Sequence, residues 1–162
     1  MVLNEARSLL EQLTPLKQDC GTLCGGACCR SLEGEATGML LFPGEEDDYV
    51  GLDGWQLTET KQGWLVSCPG TCDRSIRPLA CRIFPLLPVL REDGVHVAVD
   101  ARARAVCPLS RQGRAAMDQD FVEAVRQVGI LLAGDEEQRT MLRQLTDIQD
   151  ELVALRKRIR GK

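Results

Sequence analysis

The segment that organises this chain is residues 20–29, which read CGTLCGGACC. It holds four of the eight cysteines in the 162-residue sequence, with three glycines between them. Glycine allows the backbone to take positive φ angles, so several sulfur atoms can turn towards one centre. The segment therefore predicts a loop that supplies thiolate ligands to a bound metal.

The remaining cysteines extend this pattern along the chain. Cys68 and Cys72 are separated by three residues, as are Cys20 and Cys24, and zinc sites commonly use pairs with two to four residues between them. Two such pairs could complete one site of four thiolates and leave the other four cysteines for a second site. We therefore predict that all eight cysteines are metal ligands: Cys20, Cys24, Cys28, Cys29, Cys68, Cys72, Cys81 and Cys107.

Cys28 and Cys29 are adjacent in the sequence, and this limits how they can act. Two sulfur atoms from adjacent residues would close a small, strained ring if they bound the same ion. We expect them to serve different centres, or one of them not to be a ligand.

Thiolates are soft ligands, which favours zinc, copper(I) or iron–sulfur clusters. A 4Fe–4S cluster and zinc both remain open, although the usual ferredoxin spacing of cysteines is absent. Four thiolates around a divalent ion leave a net charge of about −2, which needs nearby cations or hydrogen-bond donors. The residues that we expect around the ligands are Arg77, Arg82, Asp100 and Arg102.

The composition predicts where the protein acts and which partners it lacks. The net charge of −4 and the pI of about 5.1 argue against a general nucleic-acid binder. The first residues do not resemble a secretory signal, and we find no apolar run long enough to span a membrane. We expect a cytoplasmic protein with no membrane contact, where reduced thiols favour metal ligation over four disulfides.

Hydrophobic periodicity and turn residues predict an α+β fold. We expect a first helix over residues 3–16, a strand over 34–42, and a solvent-exposed acidic run over 45–48. Two hairpins follow, at 55–60 with 64–67 and at 86–91 with 95–100. The predicted architecture is a single domain, 1–162, with a cysteine-rich metal core over 19–109 and a C-terminal helical hairpin over 115–160.

The last predicted helix carries apolar residues at alternating spacings of four and three, over nearly three heptads. They are Met141, Leu145, Ile148, Leu152, Leu155 and Ile159. We interpret this seam as packing against the first helix within the chain. A contact with a protein partner, or a homodimer through this helix, is the alternative.

Three parts of the chain together form a recognisable pattern: residues 20–29, the run RPLACRIFP at residues 77–85, and Cys107. In this pattern the chain resembles the YkgJ-type cysteine-cluster family of zinc- or iron-chelating proteins, over residues 19–109. That family usually has two residues in each gap of its first cysteines, whereas this chain has three. The resemblance implies metal binding, and it names neither a substrate nor a reaction.

These observations predict a metal-binding protein with a structural or electron-transfer role. The alternative is a redox or group-transfer enzyme that uses an open metal centre, with Asp100 and the arginines lining a substrate pocket. His96 is the only histidine, so the sequence offers no second histidine for a catalytic pair.

Overall fold

The computed structural model describes residues 1–29, 38–70 and 72–161. Within them the architecture is α+β, as predicted. The helices are α1 (Val2–Leu9), α2 (Gly21–Cys24), α3 (Leu79–Ile83), α4 (Pro108–Gln112), α5 (Gln119–Gly134) and α6 (Glu136–Arg160). The strands are β1 (Met39–Leu40), β2 (Gln56–Thr60), β3 (Gly63–Ser67), β4 (Leu86–Arg91) and β5 (Gly94–Val99).

The strands form two separate antiparallel sheets. In the first sheet the order is β1-β3-β2, and in the second β4 pairs with β5. Thr60 is paired with Gly63, and Arg91 with Gly94, so each hairpin turns through two residues. Both glycines have positive φ angles, 124° and 127°, which a residue with a side chain adopts only with strain. Both predicted hairpins are therefore confirmed to within one or two residues at each end.

A large hydrophobic core lies between the second sheet and the helices. Its buried residues come from α1, α3, β4, β5, α5 and the first half of α6. A smaller cluster of Leu41, Tyr49 and Val66 lies under the first sheet. Tyr49 also donates a hydrogen bond from its hydroxyl to the carbonyl of Ile76, at 2.9 Å, which joins this cluster to the segment that precedes α3.

Side chains occupy the outer edges of the β4–β5 hairpin. The amide of Leu90 in β4 donates to the hydroxyl of Thr146 in α6, at 3.0 Å. On β5, the carbonyl of Val97 accepts from Arg114 and that of Val99 from Gln149. α5 and α6 thus hold a hairpin that would be marginal by itself.

The first helix is shorter than predicted, since α1 ends at Leu9 instead of near Pro15. The guanidinium group of Arg74 donates to the backbone carbonyls of Leu10, Glu11 and Leu13. These carbonyls therefore find a partner in a distant side chain, although the Leu10 carbonyl also accepts from the amide of Leu13, at 3.3 Å.

The acidic run was predicted to be solvent-exposed, and for Glu45 this is wrong. Glu45 is 0% exposed. One of its oxygens accepts from Arg7 and from the amide of Leu79, at 2.7 and 2.9 Å, and the other accepts from the amide of Phe42, at 3.0 Å. A buried carboxylate is stable here because each of its oxygens has a donor.

The predicted strand over 34–42 is described only from residue 38, and there it is limited to Met39–Leu40. Residues 30–37 lie outside the described part of the chain. The two C-terminal helices are confirmed, and Asp118 and Asp135 cap them by accepting from backbone amides.

The expected packing of the last helix against the first is wrong. α1 packs mainly against α5, whereas the main neighbours of α6 are α5 and β4. Among the helices of the described residues, none is long and apolar enough to cross a lipid bilayer.

Candidate metal centre

The first four cysteines lie on two short helical turns. Cys20 precedes α2 and Cys24 ends it, while Cys28 and Cys29 lie in a 3-10 turn. Gly25 and Gly26 between these turns have φ angles of 61° and 71°. The predicted use of positive φ in this loop is confirmed, and it reverses the chain between the two cysteine pairs.

Cys81 lies in the middle of α3, a helix of five residues between Pro78 and Pro85. The first amide of α3, that of Leu79, donates to Glu45, and Leu79 and Ile83 are buried in the large core. α3 thus fixes one cysteine to the most tightly packed part of the molecule.

The last three cysteines follow regular elements. Cys68 comes directly after β3, and Cys107 directly precedes α4. Gly70, with a φ of 92°, lies so close to the Cys29 carbonyl that an added Cβ would be 3.5 Å from it. The segment around Cys68 and Cys72 therefore lies directly against the first cysteine loop.

All eight cysteines line two adjoining cavities. The first cavity has a volume of about 110 Å³ and is lined by Cys28, Cys29, Cys68, Cys72 and Cys81. The second has a volume of about 390 Å³ and is lined by Cys20, Cys24, Cys28, Cys81 and Cys107. Four residues line both cavities: Cys28, Arg77, Cys81 and Phe84.

The eight side chains are free thiols, seven half-buried and one, Cys28, exposed. Structural cysteines that fill a core are usually fully buried. These thiols instead line shared cavities, although Cys20 and Cys107 also pack against the large hydrophobic core.

Electrostatic coupling groups the thiols further. Burial raises the pKa of the Cys81 thiol, and the charges of Cys29, Cys72 and Cys68 raise it further. Burial also raises the pKa of Cys20, with contributions from Asp19, Cys107 and Cys24. Each pKa is raised in part by nearby negative charges, and the cysteines that raise the pKa of Cys81 are not those that raise the pKa of Cys20. We therefore place Cys81 and Cys20 in different groups.

The two pairs that are separated by three residues therefore lie in different groups. Cys20 and Cys24 lie with Cys107, and Cys68 and Cys72 lie with Cys81. The two pairs thus line different cavities.

Cys28 and Cys29 lie at the boundary between the groups, with their sulfur atoms 4.0 Å apart. Their mutual hydrogen bond raises the pKa of Cys28 and lowers that of Cys29, and Arg77 also lowers the pKa of Cys29. Cys28 is coupled to Cys24 and Cys20, and Cys29 to Cys81, in keeping with separate roles for the two residues.

Arg77 is the cation that lines both cavities. Burial lowers its pKa, but its hydrogen bond to Cys72 and the charges of Cys72, Cys29 and Cys81 outweigh burial and leave the pKa raised. Among the described residues, its Nε is one of two buried side-chain polar atoms without a hydrogen-bond partner. A buried N–H group of this kind is costly unless an acceptor reaches it.

The other residues expected around the ligands have different partners. Arg82 lines the second cavity, but its Nε and Nη2 donate to the carbonyls of Arg77, Arg74 and Ser75. Asp100 and Arg102 form an ion pair with each other, at 2.7 Å, and line a separate small cavity. The substrate pocket predicted at Asp100 therefore does not coincide with the cysteines.

The thiols lie near one another, but among the described residues they do not form a complete set of metal ligands. Within residues 1–29, 38–70 and 72–161, no three His, Cys, Asp or Glu side chains are arranged so that they could hold one metal ion. Ligand sets often close only when the metal binds, because binding and local folding are coupled.

Sequence reasoning missed the apolar lining of the first cavity and the role of Glu45. Met39, Trp55, Val66 and Phe84 complete the cavity wall beside the thiols. The two tryptophans and the acidic run were visible in the sequence, but no spacing rule connects them to the cysteines.

Comparisons with known proteins give no relative: no family model, no curated protein and no solved structure matches this chain.

Proposed function

We propose that this protein binds metal through its cysteine thiolates, as zinc or as a 4Fe–4S iron–sulfur cluster, in a structural or electron-transfer role. The observation that carries the proposal is that all eight thiols, which come from segments as distant as Cys20 and Cys107, line two adjoining cavities. Soft thiolate donors fit both zinc and iron–sulfur clusters.

A positive charge beside the thiols would stabilise a negatively charged set of ligands. Thiolates that share one site accumulate negative charge, and Arg77 lies at the junction of the two cavities with an unpartnered Nε. A guanidinium group in this position would hydrogen-bond the ligand sulfur atoms and offset their charge.

The grouping of the thiols supports two centres over one. Cys29, Cys68, Cys72 and Cys81 would supply the first, and Cys20, Cys24, Cys28 and Cys107 the second. Each group holds four thiols, the number that a closed zinc site or a 4Fe–4S cluster requires. If metal binding closed each group into a complete four-thiolate shell, a structural or electron-transfer role would be favoured over an enzyme with an open metal position.

The proposal has three further parts. The chain resembles the YkgJ-type family, it acts in the reducing cytoplasm, and its last helix contacts another protein chain. Reduced thiols are the form that binds metal, and the cytoplasm keeps thiols reduced.

The test is anaerobic purification followed by elemental analysis, sulfide determination and an absorption spectrum. Iron with inorganic sulfide and a brown colour would identify clusters, and zinc in a colourless protein would identify zinc sites. A metal-free protein with eight titratable thiols, or with disulfides, would overturn the proposal.

Two substitutions then test the grouping. Cys68→Ser should remove the metal of the first centre and leave that of the second, whereas Cys107→Ser should do the opposite. His96→Gln is the control, because the exposed side chain of His96 on β5 pairs with Asp93, so its loss should leave the metal content unchanged. Equal loss of all metal in both cysteine variants would contradict two independent centres.

A further inference from the structure

The C-terminal end of α6 carries an apolar stripe that the fold leaves open. The last buried residue of α6 is Gln149. Beyond it, Leu155 is 50% exposed and Ile159 is 67% exposed. Ile148 and Leu152 continue the stripe towards the body of the protein, and none of the four belongs to either hydrophobic core.

The stripe has two different flanks. On one flank, Gln149 and Arg156 bind the body of the protein, because Gln149 bonds the backbone of Ala101 and Val99 and Arg156 donates to the carbonyl of Ala101. On the other flank lie Glu151 and Arg158, each one position before a stripe residue and both exposed. They are seven residues apart on one helix, about 10 Å along its axis, which is too far for them to pair with each other.

The charges of the open flank fit a second copy of the same helix that runs in the opposite direction. In an antiparallel pair centred between Leu152 and Leu155, Leu152 faces Leu155 of the other copy and Ile148 faces Ile159. Equivalent flanks then meet, so Glu151 of each copy lies beside Arg158 of the other. The same two residues thus form two intermolecular ion pairs that one chain cannot form alone.

The basic residues at the end of α6 disfavour a parallel pair of helices. It would bring together the basic ends of both copies, which contain Arg156, Lys157, Arg158 and Arg160. Like charges that lie close together repel each other. It would also place the two folded bodies side by side, whereas the antiparallel pair places them at opposite ends.

We propose that this protein forms an antiparallel homodimer through residues 148–159 of α6, with Glu151 of each copy paired to Arg158 of the other. The interface is isologous, as most homodimer interfaces are. It is short, because each copy contributes only residues 148–159 of one helix, so the dimer should dissociate on dilution and weaken with added salt. The inference extends the proposed contact of the last helix and is independent of metal binding.

The first experiment is sedimentation analysis of the purified full-length protein over a wide range of concentration. We expect a reversible monomer–dimer equilibrium. Leu155→Asp should weaken the dimer by more than about tenfold, since each dimer would bury two such side chains. Ile130→Asp is the control: Ile130 is 42% exposed on α5, away from the stripe, and its replacement should leave the equilibrium unchanged.

Charge reversal tests the orientation. Glu151→Arg and Arg158→Glu should each weaken the dimer, because each places two like charges together at both ends of the interface. The double variant restores opposite charges and should recover the dimer. In a parallel dimer, Glu151 would instead face Arg156 of the other copy, and the double variant would not recover it.

Three results would overturn the proposal. They are a monomer at every concentration, a dimer that Leu155→Asp leaves intact, and a double variant as weak as the single ones. Binding of a monomeric protein to vesicles of anionic lipid would assign the basic, apolar helix end to a membrane surface instead. Metal content measured on the same variants should stay unchanged, so failure here is distinguishable from failure of the metal proposal.

Discussion

Replacing Glu45 by glutamine tests whether a buried carboxylate joins the cysteine-bearing helix to the rest of the fold. Oε1 of Glu45 accepts from Arg7 Nη2, Arg7 Nε and the amide of Leu79, at 2.7, 3.3 and 2.9 Å, and Oε2 accepts from the amide of Phe42, at 3.0 Å. Glutamine has one carbonyl oxygen, so its NH₂ group must face a donor on one side. We expect Glu45→Gln to lower the stability markedly.

The magnitude follows from these contacts. A buried donor left without an acceptor costs about 1–3 kcal/mol, and the loss of a charged acceptor for Arg7 costs about 1–2 kcal/mol more. The sum, about 2–5 kcal/mol, overlaps the cost of about 3–5 kcal/mol that is usual for breaking a buried ion pair. Arg7 is 19% exposed, so water can compensate its loss in part, and the lower half of the range is expected.

The assay is urea unfolding of the purified protein under reducing conditions, followed by far-ultraviolet circular dichroism. Asp48→Asn is the matched control, because Asp48 also bonds Arg7, at 2.8 Å, but its side chain is 53% exposed. Exposed ion pairs contribute about 1 kcal/mol or less. If Glu45→Gln costs no more than Asp48→Asn, the assignment of Glu45 as a structural centre is refuted.

Three further predictions concern single positions. Burial raises the pKa of Tyr49, the only tyrosine, so the folded protein keeps a proton that the unfolded chain loses above about pH 10, and the free energy of unfolding should fall as the pH rises past this value. An ultraviolet titration with an ordinary midpoint would contradict this. Gly129→Ala should cost about 1–3 kcal/mol, since the new Cβ would lie 2.6 Å from two side-chain atoms of the β4–β5 hairpin, whereas Gly134→Ala, with no atom within 4 Å, should cost nothing in the same thermal unfolding assay. Arg77→Gln should reduce metal retention against a chelator, and Lys17→Gln, which removes an equal charge from the rim of the second cavity, should not; equal retention in both variants would show that Arg77 does not stabilise the thiolates.

Turn chemistry and hydrophobic periodicity made much of the fold predictable from the sequence. The two hairpins end at glycines with positive φ, and α5 and α6 begin at aspartates that accept from backbone amides. These signals are local, because the residue that determines the structure lies within the element or next to it.

The errors share a different cause, a partner distant in the sequence. α1 ends early because Arg74 binds the carbonyls that follow it, and Glu45 is buried because Arg7 and Leu79 reach it. Periodicity and charge runs contain no information about such partners. The same limit applies to the cysteines: their spacing predicted ligands, but which thiols lie together depends on how the hairpins and α3 pack.

The β4–β5 hairpin has a consequence for how the protein behaves in a crowded solution. An exposed strand edge is a template for pairing with strands of other chains, and proteins suppress this by removing or occupying its free groups. Here Pro88 lacks an amide, Thr146 occupies that of Leu90, and Arg114 and Gln149 occupy carbonyls of β5. At these positions the free backbone groups are removed or occupied, which hinders intermolecular strand addition, the first step of amyloid growth.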